Sequence, residues 1–292
     1  MIFPSSIFKI KKGNKTGNLE EFAKQFGLNE FSYLKDKIDF DENHKKNLDF
    51  HNKYCRYSDI ITYKYNRVKL LGPYGFINAS WIHMPSINSF IATQGPLEDT
   101  IEDFWEMIFT YDVKVIVMLC NLIENNREKC ANYWEKNNKK YEIIKISNEI
   151  SIEQGLILRR FQIFNKKNYE FKNIVQIHLT TWNDHTAPIS NYNKIIKIIK
   201  LVDQFKQNSP VVVHCSAGVG RTGIFLSIYN LYHEILGQIN NKYTREIKFS
   251  IMNLVRKLKE MRMFLVENED QYIFLYQFVI LLLNEKNIKY NI

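Results

Sequence analysis

Apolar residues recur along this chain with two periods, and the switches between them lay out its elements. Short runs dense in β-branched and aromatic residues predict strands: FINASWI, SFIATQ, VKVIVMLC, YEIIKISNEISI, GLILRRFQIF and IVQIHLTTW. Helical spacing predicts helices over Asn18–Leu34 and Thr100–Tyr111, the second behind the turn signal GPLEDT. Its first turn carries acidic residues, which the positive end of a helix favours. From Ile189 to Phe205, apolar Ile195, Ile198, Ile199, Val202 and Phe205 form one face and lysines the other, a pattern for a helix packed on the chain's own sheet. SPVVVHC then reads as a short buried strand, GVGRTG as a turn and TGIFLSIYNLYHEIL as a helix. Two more helices follow, one capped by Ser250 and one starting at Asn268. The sum is an α/β (α+β mixed) fold, a twisted mixed β-sheet flanked by helices.

No internal repeat and no Pro/Gly/Ser-rich linker divides the chain, so residues 18–292 are expected to pack as one domain. Residues 1–17, basic and without periodicity, are expected to form a loose arm. With 45% hydrophobic and 14% aromatic residues, the 292-residue chain can bury a substantial core. The longest apolar run, Ile273–Leu283, falls short of the roughly 18 residues that a membrane span needs. The opening MIFPSSIFKIKKG lacks the apolar core and cleavage site of a secretory signal, so a cytoplasmic protein is expected.

Four scattered cysteines without a CxxC pair argue for reduced thiols and against a disulfide framework. A net charge of +9 suits nucleic acid, an acidic membrane surface or phosphorylated substrates alike. The abundance of Lys, Asn and Ile also fits an AT-rich coding genome. No zinc-finger, helix-turn-helix or RNP-like signature is present, so no nucleic acid is expected as a partner.

The chemistry concentrates in HCSAGVGRTG. A strand ending at Cys215, a small-residue loop and a helix with Arg221 in its first turn together make an anion trap. Backbone N–H groups of Ser216, Ala217, Gly218, Val219 and Gly220 can converge on one oxyanion, because the glycines tolerate the curvature. The helix start adds its dipole and Arg221 a planar fork for two phosphate oxygens. The same field favours the thiolate of Cys215, which, held beneath a phosphoryl group, is a ready nucleophile.

HCSAGVGRTG resembles the signature loop of the tyrosine-specific protein phosphatases. The likeness runs from about Leu48 to Val279 through CRYSDI, RVKL, FINASWI, FIATQGPLEDTIEDFWEMI, KCANYW, WNDHTAP and LVENEDQY, in that family's order. It is similar to single-domain, non-receptor-type members, and its basic, Asn- and Ile-rich composition resembles the stand-alone phosphatases carried by viruses of parasitoid wasps. The resemblance implies a catalytic domain that hydrolyses phosphotyrosine in proteins through phosphocysteine. It implies a monomer whose partners are phosphotyrosine-containing proteins. Thiolate, guanidinium and carboxyl cover nucleophile, charge clamp and acid, so no metal or cofactor is expected.

By the same resemblance Asp184 is the general acid on a mobile loop, the alternative being a turn-forming Asp. Trp182 is that loop's hinge anchor or an ordinary core aromatic. Tyr57 stacks on the substrate ring and sets a cleft depth that phosphoserine cannot span, and Asp59 holds the substrate's backbone N–H groups. For both, a plain surface role is the alternative. Glu124 orients Arg221 and Lys129 partners the acid loop, or each is a solvated charge. His214 tunes the thiolate or is a satisfied core histidine, and Thr222 stabilises the departing thiolate or caps the helix.

Three positions depart from the family pattern. Glu267 stands where a Gln positions the hydrolytic water, with Gln271, a second family glutamine, four residues on. Asn183 replaces the usual Pro and Thr186 the usual Gly, which is expected to shift the open and closed populations of the loop. Glu267 leads to an expectation of fast phosphocysteine formation and slow hydrolysis. The competing reading is a catalytically weak phosphotyrosine-binding protein that sequesters its targets.

Overall fold

The computed structural model describes residues 8–12, 19–34, 48–49, 52–71, 75–84, 89–241, 243, 246–288 and 290–291. Among the described residues nine strands make the main sheet: β1 (Arg67–Lys69), β2 (Phe76–Ile82), β3 (Phe90–Thr93), β4 (Val115–Met118), β5 (Tyr141–Lys145), β6 (Ile150–Glu153), β7 (Leu156–Asn165), β8 (Glu170–Leu179) and β9 (Val211–His214). Their order is β5-β7-β8-β4-β9-β3-β2-β1, with β6 also paired to β7. The four strands β8, β4, β9 and β3 run parallel, and antiparallel pairs close both sides. Among the described residues six α-helices accompany it: α1 (Leu19–Leu34), α2 (Ile101–Thr110), α3 (Tyr192–Phe205), α4 (Gly220–Asn240), α5 (Ile251–Met261) and α6 (Glu269–Glu285).

The parallel centre is buried on both faces, which is why VIVM, VVVH and FIAT are continuous apolar runs ending in a polar residue at most. Helix α3 lies against β8 and β4 with Ile195, Ile196, Ile198, Ile199 and Val202 buried, and a 3-10 turn at Ile189–Asn191 leads into it. On the other side α1 packs on α6, and α6 on α4. The Ser250 hydroxyl accepts a hydrogen bond from the Asn253 amide, and the Asn268 side chain accepts one from the Gln271 amide, so α5 and α6 start at those caps. No helix among the described residues is long and apolar enough to cross a membrane.

Two features differ from the sequence expectation. YEIIKISNEISI is two strands, β5 and β6, both paired to β7, because residues 146–149 between them turn. Within the arm expected over residues 1–17, Phe8–Lys12 is a strand paired antiparallel with Glu246–Phe249, Phe8 in register with Phe249 and Ile10 with Ile247. The rest of that arm lies outside the described residues.

Candidate active site

Strand β9 delivers Cys215 to the carboxyl end of the parallel strands, and α4 leaves from Gly220. Between them the carbonyl oxygens are drawn outward. Ser216 O accepts from the Gly95 amide (2.8 Å), Ala217 O and Gly218 O from the Arg262 guanidinium (3.0 and 2.8 Å), and Val219 O from the Gly223 amide (2.8 Å). In a planar trans peptide the N–H points opposite to the C=O, so the amides of Ala217, Gly218, Val219 and Gly220 turn inward. The curve needs glycine at 218: its φ is +72°, and a Cβ there would sit 2.2 Å from the Thr93 carbonyl oxygen.

Cys215, 4% exposed, forms the floor of a pocket of about 370 Å³ whose walls include Tyr57, Asp59, Lys129, Asp184, Arg221 and Glu267. The Thr222 hydroxyl donates to its Sγ at 3.3 Å. Arg221 is buried and held flat by a two-pronged pair to Glu124, Nη1–Oε1 2.7 Å and Nη2–Oε2 2.9 Å. Its Nη1 also donates to the Trp182 carbonyl (2.9 Å), and its Nη2 to Asp184 Oδ1 (2.9 Å). Arg221 Nε is buried with no hydrogen-bond partner among the described residues, a donor left for a ligand oxygen. Burial works against the Arg221 charge, yet its hydrogen-bonded pairing with Glu124 outweighs that and raises its pKa.

Asp184 is the most contested group. Its Oδ2 accepts from Lys129 Nζ at 2.6 Å while Oδ1 holds Arg221. Burial pushes the carboxyl up, but the Lys129 hydrogen bond and the Arg221 charge outweigh it and the net direction is down. The loop turns back on itself. Trp182, buried, donates its indole N–H to the Thr186 carbonyl (3.0 Å), and the Thr186 hydroxyl donates to the Asn183 carbonyl (2.8 Å). Thr186 is not in the left-handed region; the loop's positive φ, 57°, falls on His185. The usual glycine is therefore not required at 186 here.

The other expected residues distribute around this pocket. The Tyr57 and Ser216 hydroxyls share a hydrogen bond of 2.9 Å, tying the tyrosine wall to the loop, and Asp59 lies exposed at the rim. His214 is buried behind the loop, its nitrogens engaged by the Tyr133 hydroxyl (2.9 Å) and the Cys215 carbonyl (3.1 Å). Burial pushes it down to about 3, so it stays neutral and contacts the backbone of Cys215, not its sulfur. Gln271 is buried beneath Gly220; its Oε1 accepts from the Glu267 amide at 2.8 Å.

Three positions carry weight that the sequence reading did not assign. Arg262, fully buried, holds two loop carbonyls and bonds Asn78 Oδ1 at 2.8 Å; burial lowers it to about 10. Its signal is faint, an arginine at the end of the amphipathic helix α5. Arg56, within the quoted CRYSDI, donates to the Gly95 and Pro96 carbonyls at 3.0 and 2.6 Å and so braces the segment beneath the loop. His185 stands between Asp184 and Glu267, at 3.6 and 3.3 Å.

A thiol at the floor of an amide cradle, with a clamped guanidinium beside it and a carboxyl above, brings a nucleophile type, an anion clamp and an acid type into one pocket. The protein-tyrosine phosphatase family profile matches residues 51–281, and the chain belongs to that family. It is 39% identical over 207 residues to tyrosine-protein phosphatase 2 of Dictyostelium discoideum, 69% of this chain and 53% of that protein. It is 35% identical over 232 residues to human tyrosine-protein phosphatase non-receptor type 20, 77% of this chain and 53% of that one. The chain thus spans about half the length of these curated relatives. The solved catalytic domain of human protein tyrosine phosphatase non-receptor type 18 superposes with a TM-score of 0.77 at 27% identity, covering 91% of this chain and 99% of that one.

Proposed function

We propose that this chain hydrolyses phosphotyrosine in proteins in two steps through a phosphocysteine intermediate. The observation that carries this is the common pocket of Cys215, Arg221 and Asp184 over an inward-turned amide cradle. In the first step the Cys215 thiolate attacks phosphorus, the P–O bond to the tyrosine breaks, and Asp184 donates a proton to the leaving oxygen. The ion pairs hold Asp184 ionised against Arg221 and Lys129. An arriving phosphoryl dianion takes over Arg221, and its charge beside Asp184 favours the protonated carboxyl that the step needs. In the second step water attacks phosphorus, the P–S bond breaks, and Thr222, 3.3 Å from the sulfur, stabilises the returning thiolate.

Pocket depth selects phosphotyrosine, with Tyr57 as the wall. Structures of human non-receptor type 18 in complex with HER2 phosphopeptides are among the similar solved structures, which supports phosphotyrosine proteins as partners here. Turnover of a phosphotyrosine peptide, absent in Cys215→Ser, tests the assignment; trapping with Asp184→Ala identifies targets. We read the chain as a cytoplasmic monomer, and its composition supports a source in viruses of parasitoid wasps, where it would act in the host cell.

The second reading, a weak phosphotyrosine binder, draws on one observation: a carboxylate, Glu267, at the lip of the anion cradle. A Cβ on Gly220 would lie 2.7 Å from Glu267 Oε2. We place that effect in the hydrolysis step, so that rapid-mixing kinetics on an aryl phosphate show a burst. A linear time course with brisk turnover contradicts it.

A further inference from the structure

A carboxylate packed against an anion cradle needs a neutralising partner, since it repels the phosphoryl group that the cradle is built to hold. Glu267 has one. Its Oε2 is 3.3 Å from Nδ1 of His185, and the same imidazole places Nε2 3.6 Å from Asp184 Oδ2. The next residue, Asn268, donates its side-chain amide to the His185 carbonyl at 3.1 Å. Two contacts therefore join the acid loop to the corner that starts α6, one through the imidazole and one through the backbone. His185 adopts φ 57°, a left-handed conformation uncommon for a residue with a side chain.

Below this pair lies Gln271. Its Oε1 is used by the Glu267 amide, while Nε2 is buried without a hydrogen-bond partner among the described residues. That Nε2 is 3.0 Å from where a Gly220 Cβ would be, next to Glu267 Oε2. The corner thus offers one free amide donor to a water or phosphoryl oxygen, provided the neighbouring carboxylate is drawn aside.

We propose that His185 is a positioning residue for phosphocysteine hydrolysis: it holds the Glu267 carboxylate off the phosphoryl group and latches the acid loop over it. Gln271 Nε2 is then the donor that faces the attacking water. The inference deepens the phosphatase reading and rests on it. In the step it serves, the water oxygen bonds to phosphorus, the P–S electron pair returns to Cys215, and the water proton passes to the Asp184 carboxylate left by the first step.

The test is a double-mutant cycle of His185→Ala and Glu267→Gln, read by rapid mixing. The pair is half open to water, with side-chain exposures of 66% and 37%, so a moderate coupling is expected. With Glu267 present, His185→Ala lowers the steady-state rate about fivefold and leaves the burst rate within about twofold. In the Glu267→Gln background, the same change lowers the steady-state rate by less than about twofold. Equal losses in both backgrounds, or a loss confined to the burst, overturn the proposal. A second arm needs no turnover. In Cys215→Ser protein, His185→Ala weakens binding of a phosphotyrosine peptide about threefold with Glu267 intact and leaves it unchanged when Glu267→Gln is also present. Equal weakening in both overturns the pairing, whereas failure of wild-type turnover with this coupling intact strikes the phosphatase reading and the hydrolytic role built on it, and leaves the pairing standing.

Discussion

The phosphate loop and the acid loop face each other across one pocket and are built by opposite means. Residues 215–220 work through backbone: their carbonyls are tied outward by Gly95, Arg262 and Gly223, and the loop is almost wholly buried. Residues 182–188 work through side chains. Asn183, His185 and Thr186 are exposed, and the loop is held by the Asp184 carboxyl to Lys129 and Arg221 and by the His185 imidazole to Glu267. A backbone cradle leaves few side chains free to vary, because an atom added at Gly218 meets the Thr93 main chain and one added at Gly220 meets the Glu267 and Gln271 side chains. A side-chain latch needs only to deliver one carboxyl, so its other positions can change.

The sharpest way to break this contrast is at the sulfur. Cys215→Ser removes the proposed nucleophile while keeping the cradle, so kcat falls on the order of 10⁴-fold or more while phosphotyrosine-peptide binding persists. Turnover and calorimetric binding measured on the same sample check it. On the opposite loop, Asp184→Ala removes the proposed proton donor and lowers kcat by roughly 10²–10⁴-fold. The loss is smallest for substrates with good leaving groups, because these need no proton. A loss independent of leaving group would show that Asp184 only holds Arg221.

Gly218→Ala tests the backbone half. Its Cβ would meet the Thr93 carbonyl at 2.2 Å in a left-handed conformation, so stability falls by about 2–4 kcal/mol in denaturant melts and activity falls with it. Lys129→Met tests the acid's electrostatics. Lys129 holds Asp184 down, so removing it raises the Asp184 pKa and enlarges the protonated fraction at a given pH. The alkaline limb of kcat/KM moves to higher pH. A limb that stays put shows that another group sets it.

The two loops also differ in how far they could be read from sequence. The cradle is local: an apolar VVVH strand, small residues and a helix within ten positions, so Cys215, Arg221 and the strand, turn and helix around them stand out. What completes the site comes from afar. Arg262 reaches the loop over 44 positions and Glu124 reaches Arg221 over 97, contacts fixed by topology and not by spacing. The same holds for Phe8–Lys12, whose pairing with Glu246–Phe249 no local pattern announces. His185 was invisible for another reason. Its meaning depends on a residue far along the chain, Glu267, and neither signals the other in the sequence.

The smallest expected effect lies at Thr186, where the family usually has glycine. Glycine would be required if the loop turned through a positive φ there, but that conformation falls on His185. Thr186 instead closes the turn, its hydroxyl donating to the Asn183 carbonyl at 2.8 Å. Thr186→Gly removes that exposed hydrogen bond and adds freedom to the unfolded chain, so the loss is about 0.5–1 kcal/mol. Because Trp182 packs in the core and bonds the Thr186 carbonyl, its fluorescence reports whether the loop opens more often. The expected result is a modest rise in the open population with kcat within about threefold of wild type. An increase in stability would show that the turn is strained at 186 and that the side-chain half is not the tolerant one.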